Sequence, residues 1–127
     1  MPRFNKGSIQ EFKDFLYNSC VHDAKLKHIQ YDFGEDSLKM EFFHPDFEMK
    51  MELTFYNIET VWTVKGEWPG NRETILSLTV EEDVSHLQNY LLQFSEDTED
   101  SLYLLFQMFS GDELHVVSKE VAVEMIG

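Results

Sequence analysis

Residues 47 to 55 read FEMKMELTF. Apolar and polar side chains alternate there without a break: Phe47, Met49, Met51, Leu53 and Phe55 against Glu48, Lys50, Glu52 and Thr54. Successive side chains of a strand point to opposite faces, so the segment fits a strand with one face on a core and one in water. Half-wetted strands belong to antiparallel sheets, since parallel sheets are covered on both faces.

The neighbouring segments extend this pattern. Ile29, Tyr31 and Phe33 alternate with Gln30 and Asp32, and Leu38, Met40 and Phe42 alternate with Lys39 and Glu41, with Gly34-Glu35-Asp36 as the turn between them. His44-Pro45-Asp46 interrupts the alternation, because proline fixes its own φ and offers no amide to a ladder. TVWTVK (60–65), a segment over 74–80, the apolar SLYLLFQMF (101–109), ELHVVS (113–118) and VAVEM (121–125) read as further strands, the last two as separate ones. Pro69-Gly70 and Ser110-Gly111-Asp112 read as turns.

Helical spacing occurs twice. Ser8-Ile9-Gln10-Glu11 has the form of a capping box, and Ile9, Phe12, Leu16 and Cys20 follow at intervals of three and four, which predicts a helix from about 9 to 19. Asp83 followed by Val84, Leu87, Leu91 and Phe94 predicts one further helix near 84–94. The expected fold is α+β: an N-terminal helix followed by a mostly antiparallel, meander-like sheet of seven or eight strands, in a single domain spanning 1–127. The connections are too short for parallel crossovers.

Charge restricts the partners. The net charge is -14, and residues 81 to 127 hold eleven carboxylates against one lysine. Nucleic-acid affinity rests on Lys and Arg displacing counterions, so a phosphate backbone is repelled by this field, whereas a basic protein is steered toward it. The same charge also serves solubility. No apolar run approaches the length of a membrane span, and nothing at the N-terminus has the form of a secretory signal. A single cysteine with no signal fits a reducing cytoplasm.

Cys20, His22 and Asp23 stand almost side by side, with His28 beyond. On a helix, residues two apart face nearly opposite ways; on a strand, Asp23 turns away from the other two. The cluster is therefore read as a buried small residue, a histidine near a helix C-terminus and a turn residue, not as a triad. His44, Asp46 and Glu48 share parity, and on an extended segment an imidazole and two carboxylates would project together and suit a divalent cation. Pro45 argues for a turn that scatters them. Trp68 reads either as an exposed anchor for a partner or as a lid on the core. Glu96, Asp97, Glu99 and Asp100 form a solvated acidic loop that lacks the alternation and central glycine of a calcium loop. No glycine-rich phosphate loop, zinc quartet, serine elbow or dinucleotide fingerprint is present, so no cofactor is expected.

VHDAKLKHIQYD, ELTFYNIETV and FSGDELHVVSKEVAVE, in that order over residues 20 to 125, resemble a set of small bacterial β-rich domains of unassigned function, some of them like immunity proteins of polymorphic toxin systems. The resemblance implies a cytoplasmic, non-enzymatic protein that binds one partner, and it carries over no site residues. Three readings follow. The first is an acidic protein-interaction module, immunity-like in its concrete form, which meets a basic protein through Trp68, Glu96, Asp97, Glu99 and Asp100. The second is a metal-dependent enzyme or small-ligand protein using His44, Asp46 and Glu48. The third is a structural or oligomer-forming domain whose exposed strand edges pair.

Overall fold

The computed structural model describes residues 2–19, 21–67, 73–81 and 101–126. Cys20, Trp68, His86, the segment 84–94 and the acidic residues Glu96, Asp97, Glu99 and Asp100 lie outside them. The described elements are β1 (Arg3–Asn5), α1 (Ile9–Tyr17), β2 (Lys25–Asp32), β3 (Ser37–His44), β4 (Met49–Val64), β5 (Ile75–Glu81), β6 (Leu102–Met108) and β7 (Glu113–Ile126). One antiparallel sheet holds all seven described strands in the order β2-β3-β4-β7-β6-β5, with β1 alongside β7. It consists of two three-strand meanders joined where β7 lies beside β4, so the expected run of neighbouring hairpins holds only within each half.

Two strands are longer than the sequence pattern implies. The strands expected over 47–55 and 60–65 merge into one, β4, which spans Met49–Val64, and ELHVVS and VAVEM belong to one strand, β7. Asn57 takes a left-handed φ of 55°, and the β4–β7 register slips between Ile58 and Thr60. A bulge of this kind admits an extra residue and bends the strand without ending it. The break in alternation there marks a bend, not a turn. β1 is an additional strand, three residues long, in which Phe4 pairs with Val121 and packs its ring 4.9 Å from Phe12 and 5.7 Å from Phe15.

The inner face of the sheet carries the main core. Leu38, Met40 and Phe42 of β3 and Met51, Leu53 and Phe55 of β4 are buried there, as the alternation predicts. Phe47 is not: it sits in the turn after Pro45 and is exposed. β6 is an interior strand, and its Phe106 stacks on Phe42 at 5.8 Å. Phe12 and Leu16 of α1 are buried in this core. The expected Ser8–Glu11 capping box does not form. Ser8 turns back instead, its hydroxyl accepting from the Asn5 amide at 3.0 Å while Asn5 Oδ1 accepts from the Ser8 amide at 3.2 Å, which closes a short 3-10 turn over Lys6–Ser8 before α1 begins.

The sheet curls until its two ends meet. Lys25 bridges Thr74, the Leu26 amide donates to the Glu73 carbonyl at 2.8 Å, and the Ile75 amide donates to the Ala24 carbonyl at 2.9 Å. Lys25 and Lys27 both reach the Glu73 carboxylate, at 3.7 and 3.3 Å. Beyond this seam β2 has no further strand on its outer side among the described residues.

Candidate functional site

On the outer face, polar side chains of neighbouring strands come into line because the registers of three ladders agree. Glu41 of β3 lies opposite Glu52 of β4, and Glu52 lies opposite Glu124 of β7. His28 of β2 lies opposite Glu41 and ends the row. Directly opposed side chains on antiparallel strands have Cβ atoms roughly 5 Å apart, and like charges so placed oppose folding by roughly 0.2–1 kcal/mol per pair. Among the described residues, no cation comes within ion-pair distance of Glu41, Glu52 or Glu124. The contrast with Glu120, on the same strand as Glu124, is informative. Arg3 meets the Glu120 carboxylate at 3.2 Å and lies 4.9 Å from the Tyr56 ring centre. One carboxylate of this face is thus neutralised from within the fold, and the row of three is not.

Beside the row runs a shallow polar groove of about 370 Å³ over Gln30, Lys39, Glu52, Thr54, Tyr56 and Glu124, with Asp32 and Glu35 at its β2–β3 end. Lys39 is its one lysine; five of its nine lining residues are charged, four of them negative. The arrangement suits a cationic, hydrogen-bonding ligand of extended shape.

A second polar group occupies the outer face of β4, β6 and β7. Tyr103 and Val117 are buried there in a small separate cluster with Trp62 and Leu105. The Tyr103 hydroxyl meets His115 Nδ1, and His115 Nε2 meets Glu113 Oε1 at 3.1 Å. Gln107 Nε2 donates to Glu113 Oε2 at 3.4 Å, and the Ser77 hydroxyl donates to Gln107 Oε1 at 2.8 Å. The result is a continuous chain of hydrogen bonds from β5 to β7. Both nitrogens of His115 are occupied, which leaves no ring lone pair for a substrate. The group is built like a buried, satisfied network that fixes side chains.

Glu59, the residue at the β4 bulge, is turned into the protein at 10% side-chain exposure. Its Oε1 accepts from the Ser101 hydroxyl at 2.7 Å and from Lys119 Nζ at 2.9 Å, while its buried Oε2 has no partner.

The sequence-predicted positions are distributed as follows. His22 and Asp23 pair with each other at 3.2 Å on the surface, with Asp23 at φ 67°, a turn geometry. His44 ends β3 as a buried ring that packs 4.6 Å from Phe47, and its Nδ1 accepts from the Asp46 amide at 3.2 Å. Asp46 and Glu48 lie exposed in the turn, Glu48 at φ 50°. Pro45 thus scatters this trio, and among the described residues no three of His, Cys, Asp and Glu group to hold a metal ion. Sequence reasoning missed the Glu41–Glu52–Glu124 row. Each glutamate stands between two apolar neighbours on a strand, which marks it as outward-facing, but only the ladder registers place the three opposite one another. Compared with known families and with curated proteins, the chain matches none.

Proposed function

We propose that the chain is a non-enzymatic interaction module that docks a basic protein segment on the outer face of β3, β4 and β7. Supporting this reading is one observation: three carboxylates, Glu41, Glu52 and Glu124, stand opposite one another beside a polar groove, and among the described residues no cation lies within ion-pair distance of them. Arranged this way they weaken the fold, and a partner's Lys or Arg side chains laid across the row would remove the repulsion on binding. The net charge of -14 would speed the encounter. The concrete form of the reading is an immunity-like inhibitor that covers the cationic surface of a basic toxin.

Titration with a Lys/Arg-rich peptide, followed by backbone-amide NMR, tests it. Shifts should concentrate at Glu41, Glu52, Thr54 and Glu124, decline steeply with added salt, and be lost in Glu52→Lys. Shifts spread evenly over the acidic surface, or unchanged in Glu52→Lys, would remove the row from the binding site.

A further inference from the structure

We infer that β2 is a dimerisation edge, and that its occupant is β2 of a second copy of this chain. This goes beyond the docking of a basic segment and does not depend on it.

Ile29 and Tyr31 have the parity of core residues, for they lie opposite the buried Met40 and Leu38 of β3. Yet Ile29 is 48% exposed and Phe33, at the end of the strand, is 89% exposed. Among the described residues no strand follows β2, so the ladder on the inner face they line ends there. Among the described residues, backbone hydrogen bonding along this edge is open as well. The Asn57 amide donates to the Asp36 carbonyl, so Asp36 and the residues at even spacing from it bond toward β4, and Ser37, Lys39 and Glu41 bond toward β2. Their partners Asp32, Gln30 and His28 therefore point inward, and the amides and carbonyls of Ile29 and Tyr31 point away from the sheet. The Leu26 amide, which reaches Glu73 across the seam, fits the same alternation once the bulge between Leu26 and His28 is counted. Proteins protect such edges with lysines and bulges. Here Lys25, Lys27 and the bulge all sit at the seam with Glu73, and residues 28 to 32 carry no such guard.

The pattern along the edge is complementary to itself when reversed. An antiparallel pairing with a two-fold axis through Gln30 sets the outward-bonding Ile29 against the outward-bonding Tyr31 of the second copy. It also sets His28 against Asp32. Each pair is counted twice, apolar sides meet apolar sides, and an imidazole meets a carboxylate at both ends. Such an interface is isologous and closes at two copies. The axis is perpendicular to the sheet, so both acidic rows would lie on the same side of one continuous sheet.

Sedimentation equilibrium of the full chain over a wide concentration range reads the assembly. The expected result is a monomer–dimer equilibrium whose dissociation constant rises at least about tenfold in Ile29→Lys. Salt should strengthen this dimer by screening two chains of charge -14, opposite to its effect on a basic peptide. The register has its own test. In a Cys20→Ala background, Gln30→Cys places a thiol against its own symmetry mate at a non-hydrogen-bonded position, where Cα atoms lie about 4.5 Å apart, within disulfide reach. It should cross-link to a covalent dimer on mild oxidation much faster than Lys39→Cys, a control on exposed β3. A chain that stays monomeric throughout, a dimer indifferent to Ile29→Lys, or equal cross-linking by the two cysteine variants would each overturn the inference.

Discussion

Trp62 lies flat on His115, their ring centres 4.3 Å apart and their planes within 6°. The two residues are cross-strand neighbours on β4 and β7, and the stack covers an imidazole whose two nitrogens are already engaged. A carboxylate only accepts, so Glu113 requires the Nε2 proton. In the neutral ring Nδ1 is then an acceptor for the Tyr103 hydroxyl. The sheet thus has a second, smaller core on its outer face, in which one polar chain holds the His115 ring and the Tyr103 hydroxyl and Trp62 stacks on that imidazole.

Tyr103→Phe removes the donor and leaves Nδ1 buried with one partner fewer. The expected loss is about 1–3 kcal/mol, the cost of an unsatisfied buried polar group. Urea unfolding should show a lower midpoint with an unchanged slope. A midpoint equal to that of the wild type would mean that the hydroxyl has another outlet and that the chain of hydrogen bonds is not continuous in solution.

Gly66 follows β4 and packs against the β6–β7 turn. A Cβ built there would run into the backbone of Gly111 and Asp112, and the Gly66 amide donates to Asp112 Oδ1. Backbone, unlike the tip of a side chain, cannot swing aside. Gly66→Ala should therefore cost about 1–3 kcal/mol, as overpacking does, although Gly→Ala in a loop ordinarily stabilises. Thermal unfolding decides the sign: a raised midpoint would show that the turn can retreat without cost.

The parts of this fold that are legible from sequence are those set by local alternation. Met51, Leu53 and Phe55 point inward because neighbours two apart must share a face, and no distant contact alters that. Alternation gives direction and not depth, however. Ile29 and Tyr31 have the inward parity, but their exposure depends on what lies beyond β2, which is a property of topology. Asn57-Ile58-Glu59 reads as the end of a strand because its polar residues break the period, and only the pairing with β7 turns it into a bulge. The acidic row was least legible of all. Glu52 and Glu124 come from strands far apart in sequence, and a slip of one residue in either ladder would move every outward side chain to the other face.

Tyr31 offers a titration. Its hydroxyl donates to Asp36 Oδ1 at 2.7 Å, and that hydrogen bond, together with the negative charge of Asp36, holds the phenol above its ordinary value of 10.0. A raised value means that the folded chain holds the proton more tightly than the unfolded one. The contribution to stability is therefore complete below the unfolded value and is lost as pH rises through the folded one. Tyrosinate absorbance should show a high-pH component that moves back toward the ordinary value in Asp36→Asn. Superimposable titrations of the two proteins would mean that the Tyr31–Asp36 bond is not kept in water.

Glu52 is the centre of the acidic row, flanked by Glu41 on one side and Glu124 on the other. Glu52→Gln relieves both repulsions while keeping the size of the side chain and its ability to hydrogen-bond. It should raise stability by roughly 0.4–2 kcal/mol, the sum of two like-charge pairs, and the gain should shrink as salt screens the wild type. The same variant should bind a Lys/Arg-rich peptide more weakly, chiefly through slower association. A stability gain with weaker binding is the signature of charges kept for recognition at the expense of the fold. If Glu52→Gln leaves stability unchanged, the nearby Lys39 and Lys50 already balance the row through water. If it is more stable and binds the peptide as well as before, the row is a cost to the fold with no return at this surface, and the basic partner must be met elsewhere.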